Sequence, residues 1–179
     1  MKTTSLSRFF FSILVGCAFG AATTLLAACS SDDDKDMTPP TITDRGITAN
    51  PINCQVYHPG DTIAFRYLFE DNEALGSYNI EIHNNFEHHS HSTEANDHEG
   101  TECSHDSHAH ATDEELNSGA TLWTFSQDYA IPEGLLVYKA ANDIVIPRNV
   151  SHGDYHFMIR LTDRAGWQQL KAIAIIIEE

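Results

Sequence analysis

From Thr62 to Phe69 apolar side chains fall on every second residue, so that Ile63, Phe65, Tyr67 and Phe69 share one face. A period of two is that of a strand with one face against a core. Tyr78, Ile80 and Ile82 alternate in the same way with Asn79, Glu81 and His83. Tyr155, Phe157, Ile159 and Leu161 alternate with His156, Met158 and Arg160. Shorter strands are expected at Leu122–Phe125, Leu135–Lys139 and Asp143–Pro147, and a last one at Lys171–Ile177. Turn signals fall between them at Glu70–Glu73 and Asp163–Gly166. No long helical period competes beyond residue 40. Short strands at this spacing predict an all-β fold, an immunoglobulin-like antiparallel β-sandwich with a long histidine-rich loop inserted after the third strand. Trp123 and Trp167 are expected in its core.

The start of the chain follows a different pattern. Lys2 and Arg8 precede an apolar run from Phe9 to Phe19, and the stretch closes in Leu26-Ala27-Ala28-Cys29. This is the order of a bacterial lipoprotein signal peptide, spanning residues 1–28, with Cys29 lipidated and made the new N-terminus. Residues 29–40 read as an acidic flexible tether, because Ser30-Ser31-Asp32-Asp33-Asp34-Lys35-Asp36 can bury nothing. This stretch, immediately after the cysteine, resembles the acidic export tag of lipoproteins displayed on the outer face of the outer membrane. The expected location is therefore the outer membrane, lipid-anchored, at the cell surface or otherwise on the periplasmic face. Residues 41–179 form the domain, with 86–118 as its insert.

Cleavage removes Lys2 and Arg8 and no acid, leaving 8 basic against 26 acidic residues and a formal charge of −18. Such a charge repels nucleic acid and anionic lipid and attracts cations. Cys17 leaves with the signal and Cys29 carries lipid, so Cys54 and Cys103 alone remain in the domain. In an oxidising compartment two such cysteines are expected to pair. The competing reading makes Cys103 a thiolate ligand beside His105, and the Cα separation distinguishes the two.

The candidate chemistry lies in the insert. His83, His88, His89, His91, His98, His105, His108 and His110 fall within 28 residues. Imidazole suits borderline divalent ions, and a run this dense has no evident structural use. In an immunoglobulin-type sandwich the strand ending at His83 and the strand beginning near His156 are antiparallel neighbours. Alternation then places both histidines on the face opposite Ile82 and Phe157, with His152 entering from the preceding turn. The expected site is tetrahedral: His83 and His156 held by backbone, with one or two of His88, His89 and His91 from the loop. His98, Cys103, His105, His108 and His110 would form a looser chelating tail. His58, beside Pro59-Gly60, reads as a turn residue.

Tyr78-Asn79-Ile80-Glu81-Ile82-His83-Asn84-Asn85-Phe86, His88-His89-Ser90-His91 and Gly153-Asp154-Tyr155-His156-Phe157 resemble a family of small Gram-negative lipoproteins catalogued as domain of unknown function 4625. Ile144-Val145-Ile146-Pro147 and Leu161-Thr162-Asp163-Arg164-Ala165-Gly166 extend the match over most of residues 40–179. The resemblance implies an immunoglobulin-like lipoprotein with metal association and no established activity. Members of that family often carry histidines just before the Ile-x-Ile-Pro strand. Here Ala140-Ala141-Asn142-Asp143 stand there instead, and Asp97–His110 looks like an expansion particular to this chain.

The expected function is thus binding of zinc, or of copper or nickel, for metal capture or delivery, with an outer-membrane transporter as the expected protein partner. Neutral imidazole is the ligating form, so binding is expected to weaken as pH falls through about 6.5. The alternative is a non-enzymatic accessory module that binds a glycan or protein beside such a transporter. Catalysis is not expected: there is no His-Glu-x-x-His motif and no nucleophile in a strand–turn–helix setting. Hard-cation binding is not expected either, because no EF-hand spacing is present.

Overall fold

The computed structural model describes residues 35–86, 103 and 119–179. Its elements are β1 (Thr41–Thr43), β2 (Gln55–Tyr57), β3 (Thr62–Glu70), β4 (Leu75–Asn84), β5 (Phe125–Ala130), β6 (Val137–Val145), β7 (Gly153–Asp163) and β8 (Gln168–Ile177), and among the described residues there is no helix. Two sheets form a sandwich. One has the order β1-β3-β6 and the other the order β2-β8-β7-β4-β5. All pairings are antiparallel except that of β2 with β8.

The alternating segments supply the core between the sheets. Ile63, Phe65 and Phe69 of β3 face Ile80 and Ile82 of β4 and Phe157, Ile159 and Leu161 of β7, all fully buried. Phe65 joins the layers: its ring stacks on Phe157 at 5.7 Å and on Tyr78 at 6.1 Å. Tyr78 meets Phe69 edge-on at 5.0 Å. Each such side chain contributes about 1.5–3 kcal/mol by leaving water. Trp123 belongs to this core, at 7 % exposure.

Several expectations need correction. Leu135–Lys139 and Asp143–Pro147 are not two strands, because β6 runs unbroken from Val137 to Val145 along the whole length of β3. The strand expected at Leu122–Phe125 begins only at Phe125 and continues through Ser126-Gln127-Asp128-Tyr129-Ala130. Trp167 is not in the core: it is 36 % exposed, and its indole N–H donates to the carbonyl of Asp36 at 2.9 Å. Finally, the compact unit begins at Lys35, so the end of the expected tether belongs to the domain. Asp36 is 6 % exposed and Pro40 is buried.

Candidate metal site at the shared end of β4 and β7

β4 ends where β7 begins, because the two strands run antiparallel. Their register sets His83 directly opposite His156. Directly opposed residues bring their Cβ atoms within about 4.5–5.5 Å. The two imidazole rings meet at 5.4 Å between centroids, at 88°. His83 Nδ1 lies 3.1 Å from Glu81 Oε1, on the same face two residues earlier. A carboxylate against one ring nitrogen fixes an imidazole's orientation and raises its basicity toward an ion at the other nitrogen.

The surroundings are drier than a sheet's outer face would normally be. Asp154, His156 and Met158 of β7 and Ala174 and Ile176 of β8 point away from the core at alternate positions, yet each is at most 6 % exposed. His156 is fully buried, and the His83 side chain is 16 % exposed. Asn85 and Ser151 are buried at the same end, where Asn85 Oδ1 and Ser151 Oγ make no hydrogen bond. Each such group costs about 1–3 kcal/mol. Tyr155, between Asp154 and His156, turns to the core and donates its hydroxyl to the Ser151 carbonyl at 2.9 Å. His152 is half-buried, one residue before β7 opens at Gly153.

One row of residues crosses the sheet here. His83 on β4 pairs with His156 on β7, and His156 pairs with Ala174 on β8. The Ala174 carbonyl accepts from the backbone N–H of Cys54 at 2.8 Å, just ahead of β2. Cys54 is disulfide-bonded to Cys103, with Cα atoms 5.6 Å apart, inside the usual range. The disulfide thus pins the middle of the histidine-rich segment to the row that holds His83 and His156.

Register therefore brings together His83 and His156, which lie 73 positions apart in the chain. Cys103 is corrected as a metal ligand: held in the disulfide, it has no thiolate to offer. His88, His89, His91, His98, His105, His108 and His110, and Cys29, lie outside the described residues. His58 is a turn residue, with its backbone N–H donating to Asp61 Oδ2 at 2.8 Å. Sequence reasoning missed a second cluster at the far end of the sandwich, where Asp36, Asp71 and Asp163 converge. Its members come from the segment ahead of β1, the β3–β4 turn and the end of β7, and only the turn signals at Glu70–Glu73 and Asp163–Gly166 touch it in the sequence.

A two-sheet β-sandwich with an imidazole pair at one end is the class that fold and site define. The chain belongs to the family described as domain of unknown function DUF4625, whose model matches residues 27–178. No curated protein matches it. Among solved structures, the crystal structure of Spo0M, a sporulation control protein from Bacillus subtilis, is similar over 79 % of this chain and 50 % of its own, at 6 % identity and a TM-score of 0.39. The chain spans about half the length of that protein.

Proposed function

We propose that this chain is a lipid-anchored outer-membrane protein, facing outward, whose immunoglobulin-like domain binds zinc or a similar transition-metal ion for capture or delivery during uptake. The single observation that carries the reading is the row across the sheet. It sets His83 and His156 side by side and ties the segment bearing His98 and His105 to the same row through Cys54–Cys103. Two imidazoles held by backbone supply half of a tetrahedral site, and His88, His89 and His91 begin two residues beyond Phe86. The buried position suits the chemistry, since a dry shell strengthens each metal–ligand contact. A surplus of acidic residues draws cations toward it.

Calorimetric titration with Zn²⁺ tests this, comparing the native chain with His83→Ala/His156→Ala. The expected result is a loss of at least about tenfold in the tightest zinc event, with weaker binding by the remaining histidines preserved. Unchanged affinity in a double variant that still melts cooperatively would refute the sheet-end site. Elemental analysis of protein purified without a metal column is the companion measurement. A metal content near zero would favour the accessory-module reading.

A further inference from the structure

The second cluster has a different chemistry. Asp36, Asp71 and Asp163 each bring a carboxylate oxygen within 4.8 Å of the other two. Asp36 and Asp163 are 6 % and 4 % exposed, and Asp71 is half-buried. They belong to the segment ahead of β1, the β3–β4 turn and the end of β7.

One oxygen of each is already committed to its local turn. Asp36 Oδ1 accepts from Thr38 N–H at 2.9 Å and from Asn72 Nδ2 at 3.0 Å. Asp71 Oδ2 accepts from the N–H groups of Glu73 and Ala74 at 3.0 and 2.7 Å. Asp163 Oδ1 accepts from Gly166 and Trp167 at 2.6 and 2.8 Å. The turns therefore explain only half of the donor set. Asp71 Oδ1 and Asp163 Oδ2 are buried and make no hydrogen bond. Arg164, next to Asp163, reaches away to Glu133 at 3.3 Å, and Arg45 and Arg66 engage Glu70 and Asp143.

Three carboxylates gathered this closely favour a positive charge among them. A buried carboxylate oxygen with no hydrogen-bond donor, as at Asp71 Oδ1 and Asp163 Oδ2, suits a positive charge. All the donors are hard oxygens. A Ca²⁺–oxygen bond of about 2.4 Å lets one ion touch oxygens up to about 4.8 Å apart, and the oxygens here lie within that limit. Mg²⁺ prefers to keep most of its waters and a smaller shell. We infer that Asp36, Asp71 and Asp163 form a calcium clasp that fastens residues 35–40 onto the β3–β4 and β7–β8 turns. Trp167 completes the fastening through its bond to the Asp36 carbonyl.

This site is independent of the zinc reading. Asp163 pairs with Leu75 at one end of the β4–β7 ladder, whereas His83 and His156 pair at the other. At 3.3 Å per residue the two ends are about 26 Å apart.

The test uses the full chain, stripped with a chelator and titrated with CaCl₂ alone, then with MgCl₂ and ZnCl₂. Calorimetry is expected to show one Ca²⁺ event with a Kd on the order of 0.1–1 mM, the range of extracellular modules, and Ca²⁺ is expected to raise Tm. Asp163→Asn and Asp36→Asn keep an oxygen for the turn hydrogen bonds, so each is expected to fold. Each should lose the Ca²⁺ response by at least about tenfold, while the ion-free Tm stays level or rises as repulsion is relieved. Zinc binding should persist in both, and Ca²⁺ binding should persist in His83→Ala/His156→Ala. The clasp is overturned if Ca²⁺ neither binds nor shifts Tm in the native chain. It is equally overturned if Asp163→Asn and Asp36→Asn respond to Ca²⁺ as the native chain does, since the ion would then be held elsewhere. Should the asparagine variants melt lower without ions, the carboxylates are turn caps and the clasp is wrong.

Discussion

Breaking the Cys54–Cys103 disulfide separates two roles that the row of residues combines. The bond closes a loop with a sequence separation of 49. On the chain-entropy treatment, closing about 49 residues costs the unfolded chain roughly 14 cal/mol/K, or about 4 kcal/mol at 25 °C. Cys54→Ser/Cys103→Ser should therefore lower stability by up to about 4 kcal/mol, and Tm by about 8–16 °C at 2–4 °C per kcal/mol for a domain of this size. The effect on zinc should be far smaller. The segment 87–118 is already anchored at both ends by Phe86 and Gly119, and Cys103 divides it about in half. Halving a loop changes its closure free energy by only about 0.6 kcal/mol, close to a threefold change in affinity. Urea unfolding with and without reductant gives the first number, and zinc calorimetry on the folded variant gives the second. A loss of zinc binding of a hundredfold or more with the fold intact would refute the reasoning. So would tighter zinc binding on reduction, which would make the Cys103 thiolate a ligand after all.

Two further outcomes follow from the interior. Burial, opposed by the hydrogen bond that the Tyr57 hydroxyl donates to Asn50 Oδ1 and reinforced by the nearby Asp61, pushes the Tyr57 phenol up to about 12, and burial raises Tyr67 and Tyr78 as well. A group whose folded pKa is raised holds its proton more tightly when folded. That stability is complete below the unfolded value of about 10 and is lost as pH rises toward the folded values. The urea midpoint should be level to about pH 9.5 and then fall, less steeply in Tyr67→Phe; a midpoint that stays constant through the phenol range would contradict this. Phe65→Ala removes a fully buried ring that contacts Tyr67, Phe69, Tyr78 and Phe157, and should cost about 3–5 kcal/mol in chemical denaturation. A cost under about 1 kcal/mol would mean that the two sheets do not depend on this contact.

The parts of the fold that were legible in sequence are those where one face is dry and the other wet. β3, β4 and β7 announced themselves through Ile63 to Phe69, Tyr78 to Ile82 and Tyr155 to Leu161. β5 did not, because Ser126, Gln127 and Asp128 on this edge strand are exposed and leave no apolar stripe to read. β1 and β2 are three residues each, too short for any period. β6 was split because Ala140 to Asp143 are small or polar, although they pair without interruption with Phe65 to Tyr67 and with Ala64. The opposition of His83 and His156 was legible because it needed only strand neighbourhood and alternation. The dryness of that face was not, since alternation says which way a side chain points and not what lies above it. The aspartate cluster was beyond reach for another reason: residues 36, 71 and 163 meet only after both sheets have formed. Trp167 departs from the core expected of an indole because its N–H donates to the Asp36 carbonyl at the surface.

The place of β7 in its sheet has a kinetic consequence. It is the third of five strands, hydrogen-bonded on both sides, with residues 153–159 buried on both faces. Backbone amides in such a strand exchange with solvent only when the molecule opens as a whole. His156 therefore rides on the slowest-opening part of the domain, and local fraying of its own strand does not expose it. On the proposed reading, the residence time of an ion at this pair would then be set by its remaining ligands and not by the strand that carries His156.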